Sequence, residues 1–186
     1  LKPKPLIEIG EKPIIWHIMK MYSNYGINDF IICCGYKGYM LKEFFTNYSL
    51  HTSDITIDMS GTKNDIQIHH KVTEPWKITL VDTGLNSQTG GRLLKVKDYL
   101  TDEEFCFTYG DGLSDINISK LIDFHRVTKL EATVTAVQPP GRFGAIKLED
   151  NLVANFQEKA DGEKAWINGG FFILNKSVIN RIKDDQ

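Results

Sequence analysis

The run Phe30-Ile31-Ile32-Cys33-Cys34 contains no polar side chain. A strand with one wet face alternates apolar and polar residues. An unbroken apolar run predicts a strand covered on both faces, as in a parallel sheet flanked by helices. The neighbouring sequence agrees. Pro13 suits the first turn of a helix, and Ile14, Ile18 and Tyr22 recur at i, i+4 and i+8, with Ile15 and Met19 beside them. Gly26 closes that helix. Leu41, Phe44, Phe45 and Tyr48 mark a second helix after the apolar run. Upstream, the prolines of Lys2-Pro3-Lys4-Pro5 predict extended rather than helical backbone. Leu6 to Ile9 then reads as a short strand ended by Gly10. Strand, helix, strand, helix is the βαβ rhythm.

The rhythm changes further on. Strands are predicted over 54–59 and 66–70 around a turn, and again over 78–82. A polar loop, Thr83-Gly84 to Thr89-Gly90-Gly91, leads into a helix with Leu93, Leu94 and Leu100. Phe105 to Tyr109 is a strand. Ile118, Leu121, Ile122 and His125 form a helical stripe with Asn117 as its N-cap, and His125 is expected to be a satisfied core histidine. Strands follow over 132–137, 144–148, 152–157 and 166–174, then a short helix near 176–183. The expected fold class is α/β: one Rossmann-like domain over 1–186, a mostly parallel mixed sheet flanked by helices. A chain of 186 residues with 41% hydrophobic side chains can bury a core of that kind. It starts at Leu1 rather than Met and stops just past a helix-like stretch, so both ends are expected to continue in a longer protein.

A net charge of −2 asks for neither nucleic acid nor an anionic membrane. No apolar run approaches the roughly 20 residues that span a bilayer. Cys33, Cys34 and Cys106 are odd in number, lie in apolar runs and form no Cys-x-x-Cys, which predicts reduced core thiols and a cytoplasmic location. His69-His70 lies on opposite faces of a strand and cannot share a metal. Trp76, in the irregular 47–77 region, is a candidate subunit contact.

Several segments have the makings of a site. In Tyr109-Gly110-Asp111-Gly112 the acid stands just past the carboxyl end of an apolar strand, the edge where open α/β sheets bind ligands. Glycine on either side lets backbone and phosphate come close, and a lone carboxylate suits Mg²⁺. The same turn reads equally as a hairpin, although Leu113-Ser114-Asp115-Ile116 leads into a helix. Lys4 between two prolines is a stiffly held phosphate cation or an exposed basic turn. Gly90-Gly91-Arg92 opens a helix, either as an anion site or as a flexible entry. Gly141-Arg142-Phe143-Gly144, Glu158-Lys159 and Asn168-Gly169-Gly170 are each weak alone.

Their order is more telling. Lys-Pro-Lys-Pro, Thr-Gly-Gly-Arg-Leu, Tyr-Gly-Asp-Gly, Pro-Pro-Gly-Arg-Phe-Gly, Phe-Gln-Glu-Lys and Asn-Gly-Gly-Phe-Phe, in this sequence along the whole chain, resemble the sugar nucleotidyltransferases. The closer match, carried by residues 16–23, 31–39 and 79–84, is to the branch that joins CTP to glucose 1-phosphate. The resemblance implies that Lys4 contacts the nucleotide phosphates, that Asp111 binds magnesium, and that Ser87, Thr89, Gly90 and Arg92 line the nucleotide pocket. It places Gly144, Glu158, Lys159 and Asn168 around the sugar phosphate. Ala160 stands where the family has proline after Glu-Lys, which loosens that turn. The implied partners are CTP and glucose 1-phosphate, with Mg²⁺ as cofactor, a homo-oligomeric assembly and a place in nucleotide-sugar supply for lipopolysaccharide O-antigen.

Two family elements fall outside the sequence: the first strand with its Gly-Gly-x-Gly-Thr-Arg loop, and a later segment with a second metal-binding acid. A polypeptide of these residues alone is therefore expected to be inactive. The rivals are a uridylyl- or thymidylyltransferase, a metal-dependent glycosyltransferase, and a non-catalytic module of the same fold. Lys4 and the Glu158-Lys159 pair argue against the glycosyltransferase.

Overall fold

The computed structural model describes residues 2–61, 65–70, 73–138 and 166–185, and the backbone alone at 145–149 and 152–157. After a 3-10 turn at Lys4–Leu6 come β1 (Glu8–Ile9), β2 (Lys12–Pro13), α1 (Ile14–Ser23), β3 (Asp29–Cys34), α2 (Gly38–Thr46) and α3 (Tyr48–Thr52). Then follow β4 (Asp54–Asp58), β5 (Asp65–His69), β6 (Lys77–Asp82), α4 (Thr89–Lys95) and β7 (Glu104–Thr108). The chain closes with α5 (Ile118–Thr128), β8 (Ala132–Val137), β9 (Ala145–Glu149), β10 (Leu152–Gln157), β11 (Ile167–Asn175) and a 3-10 stretch at Lys176–Arg181.

The fold is α/β with mixed pairing. Among the described residues the parallel share is confined to β3 and β6, aligned from Asp29↔Lys77 to Cys34↔Asp82. The other pairings there are antiparallel, with β11 between β7 and β8, and hairpins β1–β2, β4–β5 and β9–β10.

Helix α1 packs on the β3–β6 pair and on the β7–β11–β8 sheet. Ile15 and Met19 join Leu6, Cys34 and Leu41 in one core cluster. Ile18 and Tyr22 join Ile118 and Phe171 in another. Phe30 packs against both. Burial raises the Tyr22 phenol above its ordinary pKa, and its hydroxyl meets the Thr108 side chain. Burial likewise pushes the Cys33 and Cys106 thiols up to about 11, so both stay protonated, and all three cysteines are free.

The N-terminal segment departs from the extended geometry expected of it. Leu6 N–H donates to Pro3 O at 2.9 Å and Ile7 N–H to Lys4 O at 3.0 Å. Prolines at positions 3 and 5 are compatible because the first turn leaves their missing N–H groups unneeded. The strand after it shrinks to Glu8–Ile9, which folds back on Lys12–Pro13 around Gly10 at φ +64°. Trp76 is half-buried: it packs against the first cluster and makes edge contacts with Trp16 and Phe30. His70 leaves the strand at φ 46°, so only His69 belongs to β5.

His125 is buried, as expected. Its Nε2 lies 3.0 Å from Asn175 Oδ1 and its Nδ1 2.8 Å from Thr133 Oγ1. Asn175 Nδ2 donates to Leu130 O, which leaves Oδ1 as the acceptor facing the ring. Nε2 then donates to Asn175 Oδ1, while Nδ1 and the Thr133 hydroxyl bond each other. Replacing His125 with Leu removes both bonds and strands a buried hydroxyl. Urea unfolding should show a loss of about 2–3 kcal/mol with an unchanged m-value.

Candidate active site

Two segments distant in sequence meet at the carboxyl end of β7. A Cβ on Gly110 would lie 3.1 Å from Pro5 Cγ. The proline-stiffened turn therefore rests on the Gly110 backbone, and Lys4 Nζ comes 3.6 Å from Asp111 Oδ2. The two side chains are 79% and 42% exposed, and an ion pair so open contributes about 0–1 kcal/mol. Lys4 can exchange the carboxylate for a phosphate at small cost.

Asn168 joins this group through Tyr109. Its Nδ2 donates to Tyr109 Oη at 3.1 Å, and its Oδ1 accepts the Gly170 N–H at 2.8 Å. The β8–β11 register breaks between Asn168 and Phe172. Gly170 takes φ +82°, and a Cβ there would lie 3.1 Å from Tyr109 Cδ2. The Asn-Gly-Gly motif is thus a bulge that turns β11 towards the Gly-Asp-Gly turn.

A second group gathers where β3 and β6 end side by side. Thr83 is buried and donates its N–H and Oγ1 to Cys34 O at 2.8 and 2.9 Å. Arg92 Nη1 donates to Thr83 Oγ1 at 2.5 Å, and the guanidinium lies against Gly35, where a Cβ would be 2.7 Å from it. Ser87 is buried, with Oγ 2.5 Å from Thr83 O and a further bond from Lys95 Nζ. Thr89 begins α4 in the open, and Gly90 follows it. The N-terminal segment touches both groups: Pro5 meets Gly110, and Leu6 shares the cluster of Cys34. Gly144, Glu158, Lys159 and Ala160 lie outside the described residues.

Among the described residues no three His, Cys, Asp or Glu side chains gather into a metal cage. Asp111 is one open carboxylate. That donor fits Mg²⁺, which takes one or two carboxylates and completes its shell with phosphate oxygens and water.

Thr83, Tyr109, Lys95 and Pro5 belong to these groups without having been singled out from the sequence. Thr83-Gly84 at the end of an apolar strand carried a readable signal. The partnership of Pro5 with Gly110 carried none.

The model of the nucleotidyl transferase family matches residues 1–186. The chain belongs to that family. Glucose-1-phosphate cytidylyltransferase from Salmonella typhi is 59% identical over 186 residues, covering all of this chain and 72% of that protein. HddC from Yersinia pseudotuberculosis shares the fold at TM-score 0.66 and 20% identity, over all of this chain and 72% of its own. A UDP-glucose pyrophosphorylase solved with UDP-glucose does so at TM-score 0.61 and 14% identity, over 97% of this chain and 70% of its own.

In this nucleotidyl transferase the Lys4–Asp111 spacing depends on the bare Gly110. Gly110→Ala should push Pro5 away and lower kcat/KM by about 10-fold. Steady-state kinetics and a melting curve check this, with the melting temperature close to that of the parent.

Proposed function

We propose that this nucleotidyl transferase moves a cytidylyl group from CTP to α-D-glucose 1-phosphate and releases pyrophosphate. The observation that carries the reading is the 59% identity with the Salmonella typhi enzyme across the whole chain. The pairing of Lys4 with Asp111 supports it independently of base or sugar.

An oxygen of the sugar phosphate forms the new bond to the α-phosphorus. The bond from that phosphorus to its bridging oxygen breaks, and the electron pair leaves on pyrophosphate. The attacking phosphate is already ionised, so no general base is required. Catalysis then reduces to alignment and charge neutralisation. Lys4 swings from Asp111 to the phosphates and offsets charge on the departing side. Asp111 would hold Mg²⁺, and the bound ion would supply charge neutralisation to the phosphates. Asn168, held against Tyr109, is proposed to serve the sugar side, to which the family resemblance also assigns Gly144, Glu158 and Lys159.

Cytosine presents an acceptor at N3 and a donor at N4, the reverse of uracil. Arg92 is the residue proposed to serve the acceptor edge. Ser87, assigned to the same pocket from the sequence, has its hydroxyl committed within the loop. Its proposed role is therefore to shape the pocket. Thr89 and Gly90 form the open rim. A site built on such donors separates bases strongly, because the wrong base leaves them unpaired.

A homo-oligomer and a cytoplasmic location complete the proposal. Support for subunit contact comes from hairpin β4–β5. Its pairs Ile55↔Ile68 and Ile57↔Ile66 are exposed, and contiguous exposed apolar surface marks interaction sites.

Competition among equimolar CTP, UTP and dTTP on the full-length protein with glucose 1-phosphate tests the reading. CTP should be consumed in preference by at least about 100-fold. Equal use of UTP or dTTP would refute the cytidylyl assignment while leaving the reaction class in place.

A further inference from the structure

The chain past the 3-10 stretch Lys176–Arg181 returns to the loop between β6 and α4. Asp185 Oδ2 lies 2.7 Å from Lys95 Nζ and 2.8 Å from Ser87 Oγ. The backbone N–H of Gln88 donates to the same carboxylate. Lys95 Nζ also donates to Ser87 Oγ and, at 3.0 Å, to Thr83 O. One ammonium thus ties together the first residue of the loop, its middle and a carboxylate from a remote part of the chain. Gly91 shows how closely the two segments fit. A Cβ there would lie 1.5 Å from Asp185 Oδ1 and 2.9 Å from Asp185 Cα. The second of these is backbone, so rotating the Asp185 side chain does not make room.

We infer that Asp185 is a positioning residue for the nucleotide loop: with Lys95 it clamps Thr83, Ser87 and Gln88, so that Arg92 and the start of α4 are set before the nucleotide arrives. The inference rests on the proposed reading of residues 84–92 as the nucleotide pocket. Arg92 hangs on Thr83 Oγ1, and Thr83 O is where Ser87 and Lys95 converge. Loosening the clamp therefore reaches Arg92 through a single residue. A loop fixed in advance loses less freedom on binding.

The hydrogen bonds from Lys95, then Ser87, hold the Asp185 carboxyl below its ordinary pKa. A depressed carboxyl contributes above its unfolded value and loses its effect as pH falls through the folded one. At neutral pH the clamp is charged and intact.

The sign of one effect separates positioning from simple charge. Asp185 is an anion beside a pocket for an anion. Acting by charge alone, its removal in Asp185→Asn would tighten CTP binding. Positioning predicts the opposite: a rise in KM for CTP of about 10-fold, with KM for glucose 1-phosphate within about twofold. Gly91→Ala, which forces Asp185 off the loop, should reproduce that split. Adding Asp185→Asn to Lys95→Met should raise that KM by less than Asp185→Asn does in the parent, because the two residues share one clamp.

Hydrogen exchange on the full-length protein without substrate gives a readout independent of turnover. In Asp185→Asn the amides of residues 83–92 should exchange faster, while those of β7 and β11 keep their protection. Unchanged exchange in 83–92, or a fall in KM for CTP, overturns the inference. A parent protein that turns over no CTP refutes the proposed reaction but not the clamp, which the exchange measurement then decides alone.

Discussion

Helix α1 carries apolar side chains towards two places at once, and the rest of the molecule is arranged around that. Ile15 and Met19 complete the cluster beneath the parallel pair β3–β6, while Ile18 and Tyr22 complete the one against β11 and α5. Burying a large apolar side chain stabilises by about 1.5–3 kcal/mol. A ten-residue helix with four such residues buried therefore binds two otherwise separate sheets. Phe30 packs into both clusters and Tyr22 reaches Thr108, so β3 and β7 are fixed relative to the same helix.

The site inherits its geometry from that arrangement. The ends of β3 and β6 deliver Cys34 and Thr83, on which Arg92 hangs. The end of β7 delivers Asp111, and the proline-rich turn links the two regions because Leu6 packs near Cys34 while Pro5 rests on Gly110. The glycines at 35, 91 and 110 leave gaps that Arg92, Asp185 and Pro5 fill. Each gap allows one segment to touch another's backbone, which is why a methyl group there is expected to act at a distance from the chemistry.

Much of this was legible in the sequence, and the parts that were not share a cause. Periodicity located α1, β3, β7 and α5, and the Asn117 cap was read correctly, since its side chain accepts the Lys120 N–H. His125 is the satisfied core histidine its apolar stripe implied. The proline turn is not legible because a rule for helix interiors does not govern a first turn. The antiparallel placing of β11 between β7 and β8 is not legible because an apolar run reports burial on two faces, not strand direction. The surface on which Trp76 packs is not legible either, because Trp16 and Phe30 bring it from elsewhere in the chain. Ser87 and Asp185 show the same limit: a polar side chain's use depends on partners that spacing does not reveal.

The proposed reaction is nucleotidyl transfer onto a sugar 1-phosphate at the Lys4–Asp111 end of the site. It is read out by ³¹P NMR of the full-length protein mixed with CTP, glucose 1-phosphate and Mg²⁺. CDP-glucose and pyrophosphate should appear together in equal amounts as CTP and glucose 1-phosphate disappear. Sugar transfer from preformed CDP-glucose to an acceptor, with no pyrophosphate formed from CTP, would contradict it.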